Sequence, residues 1–260
     1  MSSSATRKMR KILTITRRMA AHLARPIVGT ITGADIPEPV VALTFDDGPH
    51  PKFTPDLLDI LQEHGAKATF FVVGAAVRRY PHIVRRAAEA GHAIGNHTWD
   101  HPSFPFISRR ERFRQVHACA GAIAPYDQGL FRPPGGHQSP NSRIDLLMLR
   151  QRVIGWNVDI RDCVDQDAQS LAALMAKRLD PGSIVLLHDC LYDRPDADLS
   201  ATLEAVDSVL SHFASSVEFL TVPELLARGR PKKINSFWTP PENPYPHAGH
   251  APLSPHFDRR

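Results

Sequence analysis

The sequence predicts an α/β fold in which about seven parallel strands and their helices form a distorted (β/α)7 barrel, similar in plan to a TIM barrel. Two observations support this prediction. Over residues 40–228, short apolar runs alternate with amphipathic helical stretches, and strands that alternate with helices in this way pair in parallel. Polar residues also recur directly after the apolar runs, at the end of a parallel barrel where active sites lie.

The predicted strands are short apolar runs rich in β-branched or aromatic residues. The first begins at Val40 and ends in two adjacent carboxylates, Asp46 and Asp47, followed by the turn residues Gly48 and Pro49. The other strands are predicted at residues 68–73, 93–96, 130–131, 153–158, 184–187 and 217–220.

The predicted helices are recognised by signals at their ends. Thr54 followed by Pro55 indicates an N-cap with proline at the first helical position, and Gly91 indicates a left-handed C-cap. Capping boxes are predicted at two helix starts, Ser108 with Glu111 and Thr221 with Glu224. The helices are predicted at residues 54–64, 81–90, 108 onward, 142–151, 170–179 and 199–213.

Charge and composition divide the chain into three parts: a basic N-terminal arm at residues 1–36, a catalytic domain at 37–229 and a proline-rich irregular tail at 230–260. The net charge of +4 is concentrated in the arm, because residues 1–34 carry seven basic side chains and no acidic one. The globular part is therefore slightly acidic, and we expect no nucleic-acid binding by it. The arm could contact an anionic membrane surface through one helical face, or it could be a solvated extension.

Three cysteines form a sparse, odd set, which is unlike a disulfide framework. No run reaches the roughly 18 apolar residues of a transmembrane helix, and no apolar core of a secretion signal is present near the N-terminus. These features predict a cytoplasmic protein. They leave the oligomeric state open.

Five groups of reactive residues follow predicted strands, so the barrel would gather all of them on one rim. In chain order the groups are Asp46 and Asp47; His97 and His101; the run from Arg132 to Gly136; Asp159 and Asp162; and His188 and Asp189.

The histidine pair indicates a metal site. His97 and His101 are four residues apart, and on one helical turn this spacing lets two imidazoles share a metal. A carboxylate from a neighbouring strand end would complete a two-histidine, one-carboxylate set with open coordination positions, as catalysis requires. Asp46 and Asp47 point in different directions on an extended segment, which suits one to the metal and the other to proton transfer. Capping or surface histidines are the alternative interpretation.

The other groups supply the remaining parts of an active site. Arg132 keeps its charge and fits a carboxylate bidentately, so it is predicted to hold a catalytic aspartate. The backbone N–H of Gly135 could donate to a developing oxyanion. His188 ends an apolar strand, and Asp159 on the adjacent strand is predicted to raise its pKa enough for a general acid.

The sequence resembles the polysaccharide deacetylases of carbohydrate esterase family 4, the NodB homology domain. The resemblance covers about residues 39–228. It rests on five motifs in order: Thr44-Phe45-Asp46-Asp47-Gly48-Pro49, His97-Thr98 with His101, Arg132-Pro133-Pro134 with Gly136, Asp159 with Asp162, and Leu186 with His188. The family has a distorted seven-stranded barrel, which agrees with the strand pattern.

The resemblance implies a hydrolase that removes N-acetyl groups from amino sugars in poly- or oligosaccharides containing N-acetylglucosamine. It implies a divalent metal, zinc in most relatives and cobalt or nickel in some, held by Asp47, His97 and His101. It also implies that Asp46 is the general base for a metal-activated water and that His188 protonates the leaving amine. The implied supporting residues are Arg132 beside Asp46, Asp159 beside His188, the Gly135 amide at the oxyanion, and Leu186 at the acetyl methyl.

Two positions depart from the family pattern. Gly135 stands where the third motif usually has an aromatic residue, and Cys163 stands where the fourth motif ends in tryptophan. Both aromatics line the substrate groove in relatives, so sugar recognition could differ here, with Trp99 or Trp156 supplying a stacking face instead. Cys163 and Cys190 could approach each other as a redox pair, or they could be ordinary thiols.

Two other functions remain open at the level of sequence. The same site could act on a non-polymeric cyclic amide, ureide, N-formyl or O-acetyl compound. The chain could instead be a catalytically silent carbohydrate-binding or scaffold protein, although the intact set of reactive residues argues against this.

Overall fold

The structure is a computed structural model, and it describes residues 29–164, 167–235, 239–240 and 242. The basic arm up to residue 28 and most of the proline-rich tail lie outside the described residues, so the predictions for them stay predictions. None of the helices in the described ranges combines the length and apolar composition needed to cross a membrane.

Ten strands are present in the described residues. They are β1 Thr30–Asp35, β2 Val40–Asp46, β3 Ala68–Val72, β4 Ala93–Asn96, β5 Asp127–Phe131, β6 Arg152–Val153, β7 Val158–Asp159, β8 Ile184–His188, β9 Glu218–Phe219 and β10 Arg230–Ile234.

Eight α-helices and two 3₁₀ turns connect these strands within the same part of the chain. The helices are α1 Phe53–Glu63, α2 Gly74–Arg79, α3 Pro81–Glu89, α4 Arg109–Ile123, α5 Pro140–Met148, α6 Ala168–Arg178, α7 Ser200–Phe213 and α8 Val222–Arg228. The 3₁₀ turns are Phe104–Phe106 and Pro134–Gly136.

The main sheet has the strand order β6-β5-β4-β3-β2-β8-β7, and every pair along this path is parallel. Its two end strands, β6 and β7, follow each other in the sequence, so the sheet curls round and leaves a seam between them. β9 pairs in parallel with the beginning of β2. The predicted distorted parallel barrel is confirmed, with the single strand expected at residues 153–158 divided into β6 and β7.

Side-chain alternation along the strands creates two apolar regions. Val41, Leu43 and Phe45 of β2 belong to the outer core, which packs the strands against the surrounding helices. The opposite side chains of β2, Val40 and Ala42, belong to a second cluster inside the barrel. We call this cluster the lower interior; its buried members include Val40, Ala42, Phe71, Leu130, Ile154 and Ile184.

β1 and β10 form a separate antiparallel pair that packs on the barrel. Residues 30–35 were assigned to the basic, flexible arm and residues 230–234 to the irregular tail, whereas the structure has a strand at each. Ile31 and Ala34 of β1 join the lower interior, which explains why this segment is ordered as a strand. The three-part division of the rest of the chain stays a prediction.

The helix-end predictions have mixed outcomes. Gly91 has a φ of 86°, as a left-handed cap requires, and Thr221 and Glu224 form the predicted capping box. Ser108 accepts a hydrogen bond from the Glu111 N–H, as expected for an N-cap. The N-cap prediction for Thr54 was wrong: α1 begins at Phe53, and the Thr54 hydroxyl is bonded to the Asp189 carboxylate instead.

Candidate active site

The carboxyl ends of β2 and β8 place the acidic and basic residues side by side. Asp46 is paired in register with His188 in the parallel ladder of these two strands. Thr44 and Asp46 continue the face of β2 that carries the lower interior, so their side chains lie inside the barrel near its upper end. We call the C-terminal ends of the strands, with the loops that follow, the upper rim.

Asp47, His97 and His101 form a compact buried cluster on the upper rim. Asp47 Oδ1 lies 3.2 Å from His97 Nε2 and 3.1 Å from His101 Nε2. One donor atom from each residue lies within 4.8 Å of the others, and all three residues are buried. This is the predicted metal-ligand set, brought together as expected.

The two histidines approach each other through a turn, which differs from the helical turn expected from their spacing. Thr98 and His101 have φ values of 74° and 59°, in the left-handed region. The His101 N–H donates to Thr98 Oγ1 at 3.0 Å, and the Thr98 N–H donates to Asn96 Oδ1 at 2.9 Å. These bonds offset the conformational cost of a left-handed backbone at residues that have a Cβ.

The cluster fits a divalent metal. His97 Nδ1 is 2.8 Å from the Arg132 carbonyl oxygen, which leaves Nε2 facing Asp47, and ligand histidines are commonly oriented in this way. Asp47 Oδ1 is buried and makes no hydrogen bond within the described structure. Burial raises the pKa of Asp47, but His101 and His97 outweigh it and hold the pKa well below its ordinary value. Two imidazole nitrogens and one carboxylate oxygen are a donor set typical of zinc and related metals.

Asp46 lies beside this cluster and is held by Arg132. Arg132 Nη1 donates to Asp46 Oδ1 at 2.7 Å and to Thr44 Oγ1 at 2.8 Å, while Nη2 donates to the Gly155 carbonyl at 2.9 Å. The Arg132 side chain is fully buried, with its guanidinium 4.2 Å from the centre of the Phe71 ring. Asp46 Oδ2 is 3.8 Å from His97 Nε2, so the predicted base adjoins the predicted metal ligands.

His188 is paired with Asp162, whereas Asp159 was the residue predicted to raise its pKa. His188 Nδ1 is 2.9 Å from Asp162 Oδ1, and Asp162 Oδ2 accepts from the His188 N–H at 2.7 Å. Asp159 Oδ1 instead accepts from the Arg161 N–H, because the chain turns there with a φ of 56° at Arg161. Burial lowers the pKa of His188, but the charge and hydrogen bond of Asp162 outweigh it and raise the pKa to about 10.

Gly135 and Leu186 lie close in the chain to Arg132 and His188. Gly135 is in the 3₁₀ turn directly after Arg132-Pro133, with a φ of 58°, and its N–H donates to no acceptor in the described residues. Leu186 is buried on β8, two residues before His188 and therefore on the same face of the strand. The oxyanion role of Gly135 and the acetyl contact of Leu186 stay predictions.

Comparison with known proteins identifies the family. The sequence profile of the family described as polysaccharide deacetylase matches residues 33–150. A peptidoglycan-N-acetylglucosamine deacetylase of Bacillus cereus is 32% identical over 197 residues, which cover 74% of this chain and 70% of that protein. The chain belongs to the polysaccharide deacetylase family. The predicted family and enzyme class are both confirmed.

Two further comparisons cover the same region. A chitooligosaccharide deacetylase of Sinorhizobium fredii is 38% identical over 159 residues, 58% of this chain and 72% of that protein. The crystal structure of the Bc1960 peptidoglycan N-acetylglucosamine deacetylase is 29% identical, with a TM-score of 0.72, over 79% of this chain and 96% of that one.

The departure at Gly135 and the glycine that follows it both lie beside rings. A Cβ added at Gly135 would lie 2.7 Å from the His137 ring, and one added at Gly136 would lie 2.8 Å from the Trp156 ring. The His137 and Trp156 rings therefore occupy the space beside this turn. His137 had no signal in the sequence, whereas Trp156 was named as a possible replacement.

The cysteines are all free thiols in the described structure, which favours ordinary thiols over the redox pair. Cys119 and Cys190 are buried, and burial raises the pKa of each thiol. Cys163 is half-buried.

Proposed function

We propose that this enzyme is a metal-dependent deacetylase that hydrolyses the N-acetyl group of N-acetylglucosamine units in a glycan. The observation that carries the proposal is that three groups of interacting side chains lie on one rim. Asp47 lies between two histidines, Asp46 is bonded to Arg132, and His188 is bonded to Asp162. Together they supply a metal site, a base and an acid.

Asp47, His97 and His101 would hold the metal. A divalent metal bound there would polarise the acetyl carbonyl and acidify water, and it can lower the pKa of water to about 7. We propose zinc as the metal, because histidine nitrogen and carboxylate oxygen are common zinc ligands. Cobalt and nickel are the alternatives.

Asp46 acts as the general base. Its carboxylate accepts the proton of the water that attacks the carbonyl carbon. Arg132 holds one carboxylate oxygen through Nη1 at 2.7 Å, which leaves the other oxygen directed towards His97 and the metal ligands. The same guanidinium donates to Thr44 and to the Gly155 carbonyl, so the partner of Asp46 is itself held in place.

His188 acts as the general acid. With a pKa raised to about 10, its imidazole is protonated at neutral pH, and Asp162 orients the ring through Nδ1. Nε2 can then donate its proton to the amide nitrogen as the C–N bond breaks. The products are acetate and the free amino sugar, so atoms and charge balance with one water consumed.

Gly135 and Leu186 complete the proposed site. The Gly135 N–H, which is not engaged elsewhere in the described chain, would donate to the carbonyl oxygen as negative charge develops on it, an interaction typically worth about 10²–10³ in rate. Leu186 would contact the acetyl methyl group. Asp162, which is bonded to His188 Nδ1, takes the orienting role for which Asp159 was predicted.

The substrate assignment draws on the relatives, which are named for peptidoglycan N-acetylglucosamine and for chitooligosaccharides. Both substrates contain N-acetylglucosamine. The cytoplasmic location and the membrane contact of the arm remain predictions, and the compartment will decide which glycan the enzyme meets.

A substrate panel tests this function. Purified full chain with zinc is incubated with N-acetylglucosamine oligomers, an O-acetylated sugar, an N-formyl amino sugar and a cyclic ureide, and the acid or amine released is measured. We expect acetate from the oligomers in stoichiometric balance with new primary amines. The Asp46→Asn variant controls for contaminating enzymes. If acid or amine is released from one of the other compounds and none from the oligomers, N-acetylated glycans are rejected as the substrate class. The assignment of metal site, base and acid would still stand.

A further inference from the structure

Asp189 is a buried carboxylate that has no part in the proposed reaction. It directly follows His188 at the end of β8 and is only 1% exposed. Its Oδ1 atom is buried and has no hydrogen-bond partner among the described residues. A buried acceptor without a partner costs free energy, so fold stability does not explain this residue.

The other oxygen of Asp189 is anchored to the start of α1. The Thr54 hydroxyl donates to Asp189 Oδ2 at 2.5 Å, and the same hydroxyl accepts from the His50 N–H at 2.7 Å. A hydroxyl has one proton to donate, so these two bonds fix its direction. The chain from the His50 N–H through Thr54 to Asp189 therefore connects the loop after β2 with the loop after β8.

The segment that begins at Asp189 also touches the turn that carries the base and a metal ligand. The Asp189 N–H donates to the Asp46 carbonyl at 3.4 Å, and the Tyr192 N–H donates to Asp47 Oδ2 at 3.0 Å. The Asp189 carboxylate packs directly on Gly48, where a Cβ would lie 2.3 Å and 2.5 Å from its two oxygens. Gly48 is thus required by close approach of the carboxylate.

We propose that Asp189 is a positioning residue that, anchored by Thr54, holds residues 189–192 against the Asp46–Gly48 turn. Through the Tyr192 N–H, this arrangement fixes Asp47 Oδ2 and leaves Oδ1 directed at His97 and His101. Mutation of a group that orients a metal ligand typically costs about 10–100-fold in metal affinity or activity. The inference rests on the proposed function for the metal site at Asp47 and for its effect on turnover.

The first test compares two substitutions of Thr54 in the full chain. Thr54→Val keeps the shape and removes the hydroxyl, whereas Thr54→Ser keeps the hydroxyl. Zinc affinity is measured by competition with a chelator, at a temperature where thermal unfolding shows each metal-free variant to be folded. We expect Thr54→Val to bind zinc about 10–100-fold more weakly and Thr54→Ser to bind close to wild type. Equal affinity in Thr54→Val and wild type would overturn the proposal.

The second test is a double-mutant cycle of Gly48→Ala and Asp189→Ala. In the wild-type background the new methyl group must displace the carboxylate, so zinc affinity should fall. In the Asp189→Ala background the carboxylate is gone, and Gly48→Ala should cost much less. Additive effects would show that the carboxylate is not what Gly48 accommodates, and they would contradict the proposal. Asp189→Asn, which keeps an acceptor for Thr54, should retain near-wild-type affinity, so the cycle does not depend on the alanine variant alone.

Turnover separates this inference from the proposed function. If wild type binds zinc but releases no acetate, the proposed function fails and the affinity comparison still decides the role of Asp189. If wild type releases acetate and Thr54→Val matches it in kcat and in zinc affinity, the positioning role fails and the function stands.

Discussion

The lower interior and the upper rim are built by the same strands but contain opposite kinds of side chain. On the inward face of β2, Val40 and Ala42 are followed by Thr44 and Asp46, and on β8 Ile184 is followed by Leu186 and His188. Side chains alternate between the two faces along the whole of each strand. An inward side chain is apolar near the start of the strand and can be reactive near its end. Stability and chemistry are therefore separated along the strand axis, with the apolar end holding the strands whose other ends carry the reactive groups.

Arg132 lies at the boundary between these two regions. Its guanidinium stacks on Phe71 of the lower interior and bonds Asp46 on the upper rim. Burying charged groups costs free energy unless they are paired, so the rim contributes little net stability and depends on the apolar end for it. The comparison predicts that rim variants lose activity, lower-interior variants lose stability, and Arg132 variants lose both.

The largest loss of activity is expected at the rim. Asp46→Asn removes the base and should lower kcat by about 10²–10⁴-fold while zinc binding is retained. His101→Ala should lose zinc and activity together. Metal analysis after dialysis, combined with acetate release, distinguishes the two roles. Full activity in either variant would contradict the assignment.

Arg132→Met should affect both regions. Removing the guanidinium leaves the Asp46 carboxylate buried without its partner, which typically costs about 3–5 kcal/mol of unfolding free energy. A displaced base should also lower kcat by about 10²-fold. Urea unfolding and kcat of the folded fraction measure the two effects. If the variant loses activity but keeps its unfolding free energy, Arg132 contributes to the chemistry of the rim and not to stability.

Asp162→Asn sharpens the comparison within the rim by changing pH dependence. Without the Asp162 charge, the pKa of His188 should fall by about 1–3 units, so the alkaline limb of kcat should move to lower pH. The unfolding free energy should also depend on pH through the His188–Asp162 pair. The folded pKa of about 10 lies above the unfolded value of 6.5, so the contribution is complete below pH 6.5 and is lost as pH rises through about 10. An unchanged kcat profile would remove His188 from the role of acid.

The smallest effect on activity is expected in the lower interior. Ile184 is fully buried on β8, four residues before His188. Ile184→Ala should cost about 2–5 kcal/mol of unfolding free energy by leaving a cavity. At a temperature where the variant is folded, kcat should stay near wild type. Loss of kcat in the folded variant would show that the two regions are not separate.

The sequence predicts the barrel and most of the site because both follow from periodic patterns. Because side chains alternate along a strand, Asp46 lies on the same face as Thr44. Parallel strands also bring their carboxyl ends to one rim. His97 and His101 were found by their spacing, although the turn that joins them depends on left-handed residues with no glycine to signal it.

The parts that were not predicted depend on loops and long-range contacts. Asp159 and Asp162 both follow the same predicted strand, and the sequence does not show which of them reaches His188. In the structure Asp162 does, directly after a residue with a left-handed backbone, Arg161. Thr54 resembles an N-cap, but a bond to a residue far along the chain uses its hydroxyl. The strand Arg230–Ile234 contains a proline and mostly exposed, charged side chains, so it has no apolar alternation to reveal it.

The most direct test of the account is metal-dependent acetate release. The full chain is stripped of metal with a chelator, assayed on N-acetylglucosamine oligomers, and assayed again after zinc or cobalt is restored, with His101→Ala alongside. We predict no acetate from the stripped enzyme, recovery of activity at one metal per chain, and no recovery in His101→Ala. Equal acetate release by stripped and restored wild type would contradict the metal-centred rim.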